Sequence, residues 1–190
     1  MKLCMAQINT LVGDIAGNAQ RVCEVSAAQR ELGADMVVFP ELTLTGYPPE
    51  DLLLRADLLD RTNAAIDQLR SQLPADLIVV VGYPRAQGDA LYNSVGVIHE
   101  GELLAEYDKQ CLPNYQVFDE KRYFHAGNKP CVVELHGLAV GLTICEDIWH
   151  AEPVAGAKAA GADILININA SPFHRGKQSE RLSRVAGCAR

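Results

Sequence analysis

Short apolar runs alternate along this sequence with longer stretches in which apolar and polar residues are mixed. Short apolar runs are typical of buried strands, and longer segments with a helical period are typical of helices. The pattern predicts strands at residues 2–8, 36–40, 77–81, 94–99, 103–107, 131–134, 138–144 and 164–168. It predicts helices at residues 18–32, 58–73 and 153–160, and a last helix from about residue 176. The first helix is expected to be capped by Asn18, a residue type that favours helix N-caps.

Turn-forming residues separate several of these elements. Gly33 and Gly161 each follow a predicted helix and precede an Ala-Asp pair and a strand, as is typical of a glycine that ends a helix. Glu100 and Gly101 lie between two predicted strands and predict a hairpin turn. Helices interleaved with both buried and hairpin-joined strands indicate an α/β layered domain with a mixed sheet.

The sequence indicates one domain over residues 1–190, since no repeat, low-complexity tract or linker divides it. Residues 178–190 still have a helix-like pattern and stop without a terminating signal or a returning strand. We therefore expect a domain that is truncated at its C-terminus, with an incomplete core.

Composition and charge exclude several classes of protein. The sequence is 48 % hydrophobic and 22 % charged, which suits a folded chain with a sizeable core. Its net charge of −7 provides no basic surplus for binding nucleic acid. No apolar run approaches the ~20 residues that cross a membrane, and no signal peptide precedes the first predicted strand. We expect neither a nucleic-acid nor a membrane partner.

The cysteines show no pattern of metal ligands or of disulfides. Their spacings contain no CxxC pair and no Cys/His ligand set, so no metal site is expected. Six cysteines in 190 residues are too sparse for a disulfide scaffold. A reducing cytoplasm fits best and leaves the thiols free for chemistry. They are Cys4, Cys23, Cys111, Cys131, Cys145 and Cys188.

Three reactive residues share one context at the end of an apolar strand. Glu41 follows residues 36–40, Lys109 follows residues 103–108, and Cys145 follows residues 138–144. Sites in open α/β sheets gather beyond the carboxyl ends of strands, so these side chains are expected to meet. A nearby cation favours the thiolate, and a desolvated carboxylate can take the thiol proton. The lysine and the backbone N–H of Glu146 could hold an oxyanion, which would permit nucleophilic acyl transfer.

Each of the three residues also has a structural interpretation. A cysteine at the end of an apolar strand is often a small buried hydrophobe. Glu41 could cap a helix or a turn, and Lys109 could be a solvated loop charge. No histidine lies in these motifs, so a Cys–His pair has no support. The residues alone leave both interpretations open.

Taken with their motifs and order, these residues resemble the nitrilase, or carbon–nitrogen hydrolase, superfamily over essentially the whole chain. The runs at residues 45–52, 107–115, 117–124 and 145–149 look more specifically like the glutaminase domains of glutamine-dependent NAD synthetases. The resemblance implies an α-β-β-α sandwich with mixed sheets. It also implies a catalytic triad of Glu41, Lys109 and Cys145.

The resemblance assigns further roles by matching positions. Glu120 corresponds to a second glutamate that braces the lysine, although a surface acid is the alternative. The substrate-binding positions would be Tyr115, Phe118, Ser171, Lys177 and Tyr47. For Ser171 the alternative is a turn or cap serine, for Lys177 a solvated lysine, and for Tyr47 core packing.

The implied reaction is hydrolysis of the side-chain amide of glutamine through a cysteine thioester. The ammonia would serve a synthetase domain that amidates deamido-NAD with ATP and Mg²⁺. No Gly-rich phosphate loop occurs in these 190 residues, so that domain would lie outside them, and no cofactor is expected here. The expected partners are glutamine, the synthetase domain and further copies in a homo-oligomer.

Two other functions remain open at the level of sequence. One is a free-standing amidase of the same superfamily that acts on another small amide. The other is a truncated, non-catalytic module that keeps the three residues without using them.

Overall fold

The computed structural model describes residues 1–172 and 174–189. Phe173, in the motif around Ser171, and Arg190, at the end of the last helix-like stretch, lie outside the described residues. The elements in chain order are β1 (Leu3–Met5), α1 (Ile15–Glu31), β2 (Met36–Val38), α2 (Ala56–Gln72), β3 (Ile78–Gln87), β4 (Ala90–His99), β5 (Glu102–Asp108), β6 (Val132–Leu135), β7 (Leu138–Ile144), α3 (Ala151–Ala159), β8 (Ile164–Ile168) and α4 (Lys177–Cys188). Short 3₁₀ turns occur at Glu50–Leu54, Glu120–Arg122 and Cys145–Trp149.

The strands form two mixed sheets. The first has the order β1-β2-β3-β4-β5, in which β1, β2 and β3 are parallel and β4 is antiparallel to both neighbours. The second has the order β6-β7-β8, with β6 antiparallel and β8 parallel to β7. Because two antiparallel steps restore the direction, β5 runs the same way as β2. Their carboxyl ends therefore lie at the same edge of the first sheet.

Alternate residues of the central strands face opposite layers, because side chains of a strand alternate between its two faces. In β3, Val79 and Val81 pack in the core under α1 and α2. Ile78 and Val80 pack in a second core together with residues of β7 and β8, such as Leu142. Burial on both faces explains the continuous apolar run in this strand. The predicted α-β-β-α sandwich with mixed sheets is confirmed.

Helix α1 begins earlier than predicted. Its N-cap is Asp14, whose Oδ1 accepts a hydrogen bond from the Gly17 backbone N at 3.1 Å. Asn18 lies buried inside the helix, and its Nδ2 donates to the carbonyl oxygens of Leu11 at 2.8 Å and Leu44 at 3.0 Å. The prediction of Asn18 as the cap is wrong because its amide has tertiary partners that the sequence pattern does not reveal.

The strand boundaries differ most in the hairpin of β3 and β4. These strands pair as far as Gln87 and Ala90, whereas the predictions stop at residue 81 and resume at residue 94. The outer part of this hairpin is largely exposed, so it lacks an apolar signal. The predicted turn at Glu100 and Gly101 is confirmed, with left-handed φ angles of 52° and 76°. No helix among the described residues has the length and apolarity needed to cross a membrane.

Candidate active site

The ends of three strands bring Glu41, Lys109 and Cys145 into one buried group. Lys109 Nζ lies 2.7 Å from Glu41 Oε1, and neither side chain is more than 1 % exposed. The segment after β8 connects this ion pair to the thiol. The Ala170 backbone N donates to Glu41 Oε2 at 3.0 Å, and Ser171 Oγ lies 3.3 Å from Cys145 Sγ. The expected meeting of the three side chains is confirmed.

Lys109 is a buried ammonium held between two carboxylates. Besides Glu41, it contacts Glu120, with 2.8 Å between Lys109 Nζ and Glu120 Oε1. Burial alone would lower the pKa of Lys109, but the charges of Glu41 and Glu120 raise it above its ordinary value. Lys109 therefore stays protonated and supplies a fixed positive charge. A solvated loop lysine, the alternative interpretation, is excluded by its burial.

Glu41 is held by three donors that use both of its oxygens. Oε1 accepts from Lys109 Nζ at 2.7 Å and from Asn93 Nδ2 at 2.8 Å, and Oε2 accepts from the Ala170 N at 3.0 Å. Gly82 in β3 makes room for this segment. A Cβ at Gly82 would lie 2.6 Å from the backbone N of Leu42 and 2.7 Å from the carbonyl oxygen of Pro40.

Glu120 is the second carboxylate at the ammonium, and it lies on the 3₁₀ turn after the loop that leaves β5. Its Oε1 accepts from Lys109 Nζ at 2.8 Å and from Tyr47 Oη at 3.0 Å. Burial, with the charge of Glu41, raises the pKa of Glu120 to about 7, while Lys109 opposes this change. The surface acid considered as an alternative is excluded, because the Glu120 side chain is only 5 % exposed.

Cys145 begins the 3₁₀ turn after β7 and has a left-handed φ of 45°, which is uncommon for a residue with a side chain. Burial and the charge of Glu41 raise its pKa to about 12, and Lys109 only partly offsets them. Lys109 favours the thiolate, as expected, but its charge does not outweigh burial and the charge of Glu41. Cys145 rests as a thiol beside a carboxylate that can accept its proton.

Asp147 fixes the turn that carries Cys145. Its Oδ2 accepts from Tyr107 Oη at 2.8 Å and from the Ile144 N at 2.9 Å. Its Oδ1 accepts from the backbone N of Gln110 at 3.0 Å and of Cys111 at 2.7 Å. The carboxylate thus joins the end of β7 to the chain just after Lys109.

Three aromatic residues lie together beside Glu120. The ring centroids of Tyr47 and Phe118 are 6.4 Å apart, and those of Phe118 and Tyr115 are 5.6 Å apart, in edge-on arrangements. Tyr115 Oη also donates to Glu146 Oε2 at 2.9 Å. These contacts link the aromatic group to Glu120 and to the turn that carries Cys145. Substrate binding by the three residues stays a prediction.

The last two predicted substrate contacts differ in their relation to the thiol. Ser171 is directly beside Cys145 Sγ, and it lies in a loop rather than at a helix cap. Lys177, the first residue of α4, places its Nζ 4.5 Å from the ring centroid of Trp149 and 3.8 Å from Glu180 Oε2. The alternative interpretation of Lys177 as a solvated lysine is therefore excluded. A contact between Lys177 and substrate stays a prediction.

Asn93 and Gly82 belong to this site and were missed at the level of sequence. Asn93 is a buried polar residue inside β4, and Gly82 interrupts the apolar run of β3. A polar residue and a glycine within strands were the available signals, but neither identifies its neighbour across the sheet. Within residues 1–172 and 174–189, no group of three metal-ligating side chains is found.

Comparison with known proteins identifies the family. The model of the carbon-nitrogen hydrolase family matches residues 2–186, and the chain belongs to this family. Among solved structures, the glutamine-dependent NAD⁺ synthetase from Acinetobacter baumannii, in complex with ADP, superposes with a TM-score of 0.92 at 38 % identity; the match covers 97 % of this chain and 35 % of that one. An amidase from Nesterenkonia sp. superposes with a TM-score of 0.86 at 24 % identity, over 99 % of this chain and 72 % of the amidase. At that identity it supports the fold alone.

Curated relatives agree with the first of these structures. The glutamine-dependent NAD(+) synthetase of Xanthomonas campestris pv. campestris is 44 % identical over 189 residues, which are 98 % of this chain and 34 % of the relative. That of Aquifex aeolicus is 45 % identical over 181 residues, which are 94 % of this chain and 32 % of the relative. The chain therefore spans about a third of the length of these relatives. The resemblance drawn from the motifs is confirmed.

Proposed function

We propose that this chain carries the glutaminase site of a glutamine-dependent NAD synthetase, and that residues 1–190 are an incomplete glutamine amidohydrolase domain. The observation that carries the proposal is the buried ammonium of Lys109 between Glu41 and Glu120, next to the Cys145 thiol. A structural core thiol would not require a buried charge cluster beside it. Similarity to glutamine-dependent NAD synthetases supports glutamine as the substrate.

The reaction begins with the Cys145 thiol. Its sulfur attacks the side-chain amide carbon of glutamine while its proton passes to Glu41. Because the pKa of Cys145 is raised to about 12, this transfer must accompany attack rather than precede it. The position of Glu41 fits this task. Its Oε2 accepts a hydrogen bond from the Ala170 N, and the next residue, Ser171, contacts the sulfur.

Collapse of the tetrahedral intermediate breaks the C–N bond. Glu41 returns its proton to the leaving nitrogen, and ammonia departs from a glutamyl thioester of Cys145. Lys109 stabilises the oxyanion electrostatically, and the backbone N–H of Glu146 is the second proposed donor. A water molecule, deprotonated by Glu41, then attacks the thioester, and glutamate leaves as the thiol regains its proton.

The remaining assignments concern the whole protein. Ammonia would pass to a synthetase domain, where ATP, Mg²⁺ and deamido-NAD bind. Tyr47, Tyr115, Phe118, Ser171 and Lys177 would hold glutamine. A homo-oligomer, which the resemblance implies, and a cytoplasmic location, which the cysteine pattern favours, are part of the same proposal.

The test is hydrolysis of L-glutamine by the purified chain, with glutamate and ammonia measured together. Cys145→Ala is expected to reduce the rate to background, by at least about 10³-fold. Cys111→Ala is the matched control, because Cys111 is a half-buried cysteine of the same neighbourhood, and its rate should stay within about threefold. An unchanged rate for Cys145→Ala would remove it as the nucleophile. Hydrolysis of other small amides but not glutamine would instead favour the free-standing amidase.

A further inference from the structure

Asn93 hydrogen-bonds to Lys109 through its backbone and to Glu41 through its side chain. Its backbone carbonyl oxygen accepts from the Lys109 N at 2.9 Å, and its side-chain Nδ2 donates to Glu41 Oε1 at 2.8 Å. Asn93 lies in β4 and is completely buried. It therefore links the strand that precedes Lys109 to the carboxylate at the end of β2.

The amide of Asn93 is oriented by the carboxylate. Its Oδ1 has no hydrogen-bond partner among the described residues, although it is buried. An ionised carboxylate offers only acceptors, so the NH₂ group must face Glu41 and the oxygen must face away. A buried asparagine selected for stability would normally satisfy both ends of its amide, as Asn18 does with the Leu11 N and the carbonyl oxygens of Leu11 and Leu44. The side chain of Asn93 thus serves Glu41 in particular.

The bond from Asn93 also makes the two oxygens of Glu41 inequivalent. Oε1 accepts from both Lys109 and Asn93, which occupies its two lone pairs. Oε2 accepts only from the Ala170 N and retains a free lone pair. Ala170 precedes Ser171, whose hydroxyl lies 3.3 Å from Cys145 Sγ. The free lone pair is therefore on the oxygen that is bound by the segment in contact with the thiol.

We propose that Asn93 is a positioning residue that saturates Glu41 Oε1 and so directs proton transfer between Cys145 and substrate through Oε2. This inference rests on the proposed amide hydrolysis, in which Glu41 receives and returns the proton. Among the described residues, the side chain of Asn93 hydrogen-bonds to Glu41 and not to the sulfur, so it acts through Glu41. Its effect is on the rate of proton transfer rather than on binding, so it should appear in kcat and not in KM.

The experiment uses Asn93→Leu, which keeps the size and removes the donor, and Asn93→Ser, whose hydroxyl is too short to reach Glu41. Both are expected to lower kcat for glutamine by about 10- to 100-fold with KM within about threefold. The matched control is Asn18→Ser, a buried asparagine outside the site, which should lower thermal stability and leave kcat within about threefold.

Several outcomes would overturn the inference. They are a kcat within threefold for a folded Asn93 variant, parallel losses of kcat in the Asn18 and Asn93 variants, or failure of both Asn93 variants to fold. If the unsubstituted chain hydrolyses no glutamine, the proposed function fails, and a crystal structure of Asn93→Leu decides the inference separately. The carboxylate of Glu41 should then leave its position 3.0 Å from the Ala170 N, and an unmoved carboxylate would refute a positioning role.

Discussion

Two carboxylates share the ammonium of Lys109, and the protein surrounds them differently. Glu41 follows a central strand, and three donors bind its two oxygens. Glu120 lies on a turn in the long connection between β5 and β6 and is bound through Oε1 alone, by Lys109 and Tyr47. Its Oε2 has no partner within the described part of the chain.

In the proposed mechanism, this difference distinguishes Glu41, which accepts and returns a proton, from Glu120, which holds Lys109 in place. A carboxylate that repeatedly accepts and returns a proton needs a fixed position, which the sheet, Asn93 and Ala170 give to Glu41. Glu120 has fewer donors, and burial raises its pKa, so its own ionisation changes near neutral pH. Its side chain contacts Lys109 and Tyr47, so it can hold Lys109 in place.

The largest effect expected from this comparison is that of Glu41→Gln. The amide preserves shape but cannot accept a proton, so glutamine turnover should fall by about 10³-fold while the melting temperature changes by only a few degrees. Steady-state kinetics and thermal unfolding measure both quantities. Turnover within tenfold of the unsubstituted protein would mean that Glu41 is not the base.

A smaller loss of turnover, about 10-fold, is expected for Glu120→Gln, because Lys109 keeps Glu41 as a partner.

The variant Glu120→Gln also tests how the stability of the protein depends on pH. The folded pKa of Glu120, about 7, lies above its ordinary 4.5, so the folded state keeps a proton that the unfolded state releases in this window. The unsubstituted protein should therefore lose stability relative to Glu120→Gln as pH rises from 5 to 8, by roughly 1–3 kcal/mol.

Urea unfolding of both proteins at several pH values measures this difference. If the difference in free energy of unfolding between the two proteins did not change with pH, or changed with the opposite sign, Glu120 would not have the raised pKa on which this comparison rests. A loss of turnover as large as that of Glu41→Gln would also show that the two carboxylates are not distinct in role.

The smallest loss of turnover is expected for a substitution at Gly82, which makes room for the segment that carries Glu41. In Gly82→Ala, the added Cβ would meet backbone atoms of Leu42 and Pro40 at 2.6 and 2.7 Å, so the segment that carries Glu41 must move. We expect kcat to fall by roughly 3- to 10-fold. Gly96→Ala is the control in the adjoining strand, because its Cβ would meet side-chain atoms of Tyr83 and Leu103. It should cost stability and leave kcat nearly unchanged, and equal kcat losses in both variants would contradict the positional argument.

Sequence patterns anticipated the features that depend on local chemistry. The strand ends before Glu41, Lys109 and Cys145 follow from apolar runs, and the turn at Glu100 and Gly101 follows from residue preferences. The layer order and the catalytic roles came from the family resemblance rather than from periodicity, and the individual roles remain predictions.

Features that depend on partners distant in sequence were missed. The buried amide of Asn18 has tertiary partners, so Asp14 caps α1 instead. The bond between Asn93 and Glu41 spans 52 positions and has no local signal. The protonation of Cys145 depends on a balance between burial, Glu41 and Lys109, and a motif names these residues without giving their balance.

The central claim is that Cys145 is a resting thiol whose proton Glu41 accepts during attack. The most direct test measures iodoacetamide modification of all six cysteines by peptide mass spectrometry, in the unsubstituted protein and in Glu41→Gln. Cys145 is the one buried cysteine of the six, so exposure alone would make it react last. The account predicts that it reacts first in the unsubstituted protein. We also expect Glu41→Gln to slow modification of Cys145 together with turnover, because a thiol whose pKa is raised by burial then has no carboxylate to accept its proton. Modification of Cys145 no faster than that of the other five cysteines, or undiminished modification of Cys145 in Glu41→Gln, would contradict the central claim.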